Sequence, residues 1–196
     1  NTVYLESKNV STTTSNIQFV TGGDYDAPSN GTARMTITYA GNITKPTNSC
    51  FFLYPTANQN DIAEGTDSST DSVTIVFGGE EFDLNGNCAS NTFTAPVTGK
   101  YFLHTNLTFN RFDTGADHYL LQIVTSQRIY QNWINNKDWT ADSGYHTITL
   151  TAIADMDASD TAYVTLYQDG GTGQTDIVWD ADNDPTRSYF TGYLIG

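Results

Sequence analysis

The residues best suited to chemistry lie near the C-terminus. Asp180, Asp182 and Asp184 alternate through Asp180-Ala181-Asp182-Asn183-Asp184-Pro185. Three carboxylates at that spacing offer hard oxygen ligands, which suit calcium. The run is not an EF-hand loop, because Pro185 occupies the sixth position and Thr191 the twelfth. A solvated acidic loop is the plainer alternative. Calcium is therefore an optional ligand here, with Asp180, Asp182 and Asp184 as its candidate holders, and nothing in the sequence requires a cofactor. Three tryptophans, Trp133, Trp139 and Trp179, fall at strand ends or in loops. An indole beside acidic acceptors suits a sugar ring, and packing under a loop is the competing role. Trp139, Trp179, Asp180 and Asp182 are the candidate ligand-binding residues.

Enzyme chemistry finds little support. His104, His118 and His146 lie in or beside strand-like segments, away from any nucleophile motif, and no Gly-x-Ser-x-Gly occurs. His104 and His146 are expected to face solvent or a subunit contact. Glu80 and Glu81 are adjacent, so a strand points them to opposite faces, and they cannot flank one glycosidic bond. No catalytic residue is assigned. Cys50 and Cys88 are too few for a disulfide scaffold and, without clustered histidines, make no zinc site. They read as free thiols, with pairing left open.

These residues sit on a chain built for sheet. Its 196 residues hold 12 Tyr and 10 Phe, but Lys and Arg together number only 8. The net charge of −14 repels phosphate backbones, so nucleic acid is excluded as a partner. No run of 18 apolar residues is present, so no membrane insertion by a helix is expected. The N-terminus lacks a charged and then apolar pre-sequence. Asn1 is not an initiator, and the chain reads as part of a longer protein.

Strand-like pieces run throughout. Thr2–Leu5, Asn16–Val20 and Arg34–Tyr39 are short, polar and separated by turns. They read as a shaft or neck over residues 1–46, with a core supplied only by winding copies together. Residues 47–196 read as one all-β domain. Its strands are expected at Cys50–Tyr54, Val73–Phe77, Glu80–Leu84, Thr92–Thr94, Lys100–Asn110, His118–Thr125, Arg128–Ile134, Tyr145–Ala154, Thr161–Gln168 and Tyr189–Ile195. In the longest, Tyr101, Leu103, Leu107 and Phe109 share a face. Two strands carry bulk on both faces. Tyr119, Leu121 and Ile123 oppose Leu120 and Val124, and Tyr163 and Tyr167 oppose Ala162, Val164 and Leu166. A sandwich needs one apolar face per strand. The surplus predicts a subunit contact through Tyr119, Tyr163 and Tyr167.

The segment Phe82-Asp83-Leu84-Asn85-Gly86-Asn87, followed by Thr92-Phe93-Thr94-Ala95-Pro96-Val97-Thr98-Gly99-Lys100-Tyr101-Phe102, resembles the signature of the C1q globular-head family. The ending Tyr189-Phe190-Thr191-Gly192-Tyr193-Leu194-Ile195 is similar to that family's closing strand. The likeness spans residues 50–195. It departs where the usual Gly-Asp reads Ser159-Asp160, and in the long acidic loop from Asp169 to Arg187. Gly31–Ile37 and Gly41-Asn42-Ile43 resemble, more weakly, shaft repeats of bacteriophage fibres. Together these imply an antiparallel jelly-roll sandwich of the C1q and tumour-necrosis-factor type, assembled as a homotrimer. They further imply adhesion: a fibre tip on a virion, or another extracellular setting, that recognises a host cell-surface glycan or protein. A trimerisation cap without its own ligand, or a secreted C1q-like lectin, are the rival readings.

Overall fold

A computed structural model describes residues 4–7, 16–23, 30–179 and 187–196. The chain divides into two compact units, Asn1–Asn48 and Ser49–Gly196. The first is an antiparallel meander of β1 (Tyr4–Ser7), β2 (Ile17–Thr21), β3 (Thr32–Ile37) and β4 (Ile43–Thr44), paired in that order. Its register shifts between Phe19 and Val20. None of its side chains described from 16 to 48 is buried, and Ile17, Tyr39 and Ile43 are exposed. One such layer has no inside.

The second unit supplies a core. Its strands are β5 (Cys50–Tyr54), β6 (Val73–Thr74), β7 (Gly79–Leu84), β8 (Cys88–Ala89), β9 (Thr92–Thr94), β10 (Gly99–Phe112), β11 (His118–Thr125), β12 (Ile129–Asn135), β13 (Ser143–Met156), β14 (Thr161–Asp169), β15 (Asp176–Ile177) and β16 (Tyr189–Leu194). One sheet runs β13-β10-β16-β5-β7, with β15 added on β10. The other runs β12-β11-β14-β9-β8, with β6 added on β14. Successive strands mostly change sheet: β9 to β10, β10 to β11, β12 to β13 and β13 to β14. All their pairings are antiparallel, and the result is a jelly-roll sandwich.

The period-two alternation builds the interior. Phe51 and Leu53 of β5, Tyr101, Leu103, Leu107 and Phe109 of β10, Tyr119, Leu121 and Ile123 of β11, and Ala162, Val164 and Leu166 of β14 all point inward and are buried. Phe51 bridges the two layers. Its ring stacks on Phe93 at 4.7 Å and meets Phe190 edge-on at 5.0 Å. Gly192, opposite Phe51 in the ladder, makes room for that ring, since a Cβ there would lie 2.8 Å from it.

Each expected strand has a counterpart among the described residues, Val73–Phe77 being cut the most and three short strands being added, while Thr2 and Val3 lie outside the described residues. β6 ends at Thr74, though the Ile75 amide still donates to Val164 O of β14, and on the other edge Gln59 Oε1 accepts from the Val76 amide. β4, β8 and β15 are two-residue strands without an alternation long enough to read.

Candidate functional site

The outward face of the β13-β10-β16-β5-β7 sheet is aromatic where a solvated face would be polar. Its source is a set of aromatic doublets: Phe51-Phe52, Tyr101-Phe102 and Tyr189-Phe190. A strand sends one member of each doublet into the core and the other outward. Register then lines up the outward members. Ile153, Phe102, Tyr193, Cys50 and Leu84 form one cross-strand row. Thr151, His104, Thr191, Phe52 and Phe82 form the next. Phe102 stacks on Tyr193 at 5.1 Å, and Phe52 on Tyr189 at 4.9 Å. Ile153 remains 62% exposed, Phe82 47% and Tyr193 46%. Exposed bulk on this scale, in rows that run across five strands, is uncommon on a surface that meets only water.

His104 lies within this face. Its Nδ1 is 2.7 Å from Thr151 Oγ1, and its Nε2 is 3.3 Å from the Tyr189 hydroxyl. Burial lowers its pKa below the ordinary 6.5, because desolvation disfavours the imidazolium. The same cause lowers that of His146. Below pH 6.5 the unfolded chain therefore binds protons that the folded chain refuses. Stability contributed by the two neutral imidazoles is complete above that pH and is lost as pH falls toward the folded values. The melting temperature should drop between about pH 7 and pH 5, the ordinary range of histidine. A His104→Gln, His146→Gln double variant should show a flatter profile, and an unchanged profile would refute the assignment.

The tyrosines expected at a subunit contact are placed differently. Tyr119 lies in the core, fully buried, its hydroxyl 2.8 Å from Thr175 Oγ1. Tyr163 and Tyr167 do face outward, but on the other sheet, and Tyr167 is only 3% exposed. Over β14 and β11 the chain covers that face itself. The Gly65 amide donates to Gln168 O at 2.9 Å, and Ser72 Oγ donates to Gln122 Oε1 at 3.2 Å, laying residues 65–72 over β14 and β11. The surplus bulk on these strands is thus met within one chain. The aromatic face of the opposite sheet has no such cover among the described residues.

Trp139 is half-buried, 5.1 Å from Phe112 and 4.8 Å from His146, so its ring closes one end of the core. His146 packs beneath it instead of facing solvent. Trp179 is 37% exposed, with its amide donating to Asn58 Oδ1. Asp180, Asp182 and Asp184 lie outside the described residues. Among the described residues no three His, Cys, Asp or Glu side chains are grouped to hold a metal. Cys50 and Cys88 are free and belong to different sheets. Burial pushes the Cys88 thiol up, with Asp83 and Glu80 adding to the effect, which makes it a poor nucleophile. A groove of about 550 Å³ is lined by Lys100, Arg128, Tyr130, Ile153, Asp155 and Asp157. Its carboxylate on Asp155 is held by Lys100 at 2.5 Å.

No family model matches the sequence, and no curated protein does. Among solved structures, murine APRIL at pH 8.0 is similar with a TM-score of 0.50 and 10% identity, covering 76% of this chain and 99% of that one. The fold is that of the C1q and tumour-necrosis-factor heads. The globular domain of zebrafish complement 1qA gives a TM-score of 0.49 at 14% identity, over 76% of this chain and 98% of that one. In the strand order of this jelly-roll head, the aromatic face belongs to the sheet holding both the first and the last strand, β5 and β16. Among the described residues no helix is long and apolar enough to cross a membrane.

Proposed function

We propose that this chain is a non-enzymatic, homotrimeric binding head whose first unit serves as the shaft or neck of a fibre, and whose task is adhesion to a cell-surface glycan or protein. The uncovered aromatic face carries this reading. Phe52 stacked on Tyr189, Phe102 stacked on Tyr193, and Phe82 tilted against Phe52 line the outward face of a sandwich whose core is already complete. Water disfavours such a face, at roughly 25 cal/mol per Å² of apolar surface. Burial against a second copy relieves that cost, and closed symmetry lets every copy bury the same face. The number three comes from the C1q-like segments in the sequence. The unburied first unit points the same way, since other copies alongside would give its strands an inside. Three linked heads raise weak single-site binding to useful avidity. A virion fibre tip fits the shaft-like first unit.

Light scattering on the full chain is expected to give three times the 21.5 kDa chain mass. A mass of 21.5 kDa at micromolar concentration would end the reading. Labelled trimer should then stain host cells. A trimer that stains none would be a capping module without a ligand of its own.

A further inference from the structure

Trp133 stands on the outward face of β12, 57% exposed, at the opposite sheet from the aromatic contact face. The His118 imidazole lies flat against its indole, with centroids 4.2 Å apart and planes 14° from parallel. His118 is itself fixed. Its Nδ1 lies 3.1 Å from Asp169 Oδ2, and the buried Tyr167 hydroxyl donates to Asp169 Oδ1 at 3.0 Å. Tyr167, Asp169 and His118 thus form a buttress under one side of the indole. An exposed ring held this way has already given up the freedom that binding would otherwise remove.

The surroundings define the ligand. Gln131, two residues along β12 on the same face, receives a hydrogen bond from Gln122 Nε2 at 3.4 Å. Asn135, on the other side of Trp133, is exposed. Gln131 separates Trp133 from the next exposed apolar residue of the strand, Ile129. The plate is therefore a single ring with an amide rim. A protein partner needs about 800 Å² on each side, far beyond one indole. A pyranose matches the dimensions: its C–H face packs on the π-surface while its hydroxyls reach amides. The net charge of −14 repels acidic sugars.

We propose that the Trp133–His118 plate is a binding site for a neutral pyranose unit, with Gln131 and Asn135 supplying its hydrogen-bonding rim. This rests on the reading of the chain as an adhesive head and names the ligand class. The test titrates methyl glycosides of glucose, galactose and N-acetylglucosamine into the full chain, following tryptophan fluorescence. At least one should give a saturable change. Trp133→Ala should weaken it about tenfold or more, the scale of one lost ring stack. His118→Ala should weaken it less, and Trp179→Phe should leave it intact.

A saturable response that survives Trp133→Ala overturns the proposal, as does silence toward all three sugars. So does a fall in assembly mass on Trp133→Ala, which would make the indole a contact between copies. Trp133→Tyr guards against misfolding and should bind with intermediate strength. Cell staining separates the two readings: staining that Trp133→Ala retains in full removes the sugar plate and leaves adhesion standing. Saturable glycoside binding by a trimer that stains no cells supports the plate and removes adhesion.

Discussion

Replacing Phe102 and Tyr193 together by aspartate is expected to convert the proposed trimer into a folded monomer of 21.5 kDa. The two rings stack at 5.1 Å on neighbouring strands, β10 and β16, and both point away from the core. In an isolated sandwich, aspartate at these positions faces water at little cost. In an assembly that buries this face, each copy would bring two unpaired carboxylates into an apolar contact, at several kcal/mol apiece. Three copies multiply that penalty, so dissociation should be complete at micromolar concentration. Circular dichroism should retain the sheet signal, because the inward partners Tyr101 and Phe190 are untouched. A double variant that keeps the trimer mass would show that copies meet elsewhere, and the proposed face would fall.

Phe51→Ala should have the largest effect on the sandwich itself. The ring is fully buried and touches Phe93 of one sheet and Phe190 of the other. Truncation leaves a cavity between layers, with an expected loss of about 3–5 kcal/mol. That is a large share of the roughly 5–15 kcal/mol that holds a domain folded. Gly192, which lies against the ring, cannot fill the gap. Urea denaturation at fixed protein concentration measures the loss, the concentration being held because assembly adds to apparent stability. A loss below about 1 kcal/mol would mean that the two sheets are not joined through this ring.

Local alternation made most of the strands legible. Tyr101, Leu103, Leu107 and Phe109 share a parity, and the structure buries all four. The outward aromatic face was legible too, in the doublets Phe51-Phe52, Tyr101-Phe102 and Tyr189-Phe190, but weighing Tyr119, Tyr163 and Tyr167 instead pointed to strands whose bulk is buried within the chain, Tyr119 and Tyr167 above all. The reason is physical. Bulk on both sides of β11 and β14 says only that both sides are covered. The cover is residues 65–72, about 100 positions from Tyr167 in sequence but laid over it through the Gly65–Gln168 pairing. No periodicity announces such a return. The tryptophans teach the same lesson. Trp133 and Trp139 lie six positions apart, yet one packs on Phe112 and His146 while the other stands on an open face. Trp133 is paired with Leu120 inside β12, whereas Trp139 lies past the strand's end, where its amide donates to Asn136 O, and the path of that turn is invisible in the alternation of a single strand.

The placement of β16 has a consequence for how the protein is made. It lies between β5 and β10, with Thr191 Oγ1 donating to Phe51 O across 140 residues of chain. Until that late strand is in place, β5 and β7 are parted from β10 and β13 and the interior stays open. Pairings so distant in sequence form slowly. A polypeptide that lacks β16 therefore cannot present a finished head.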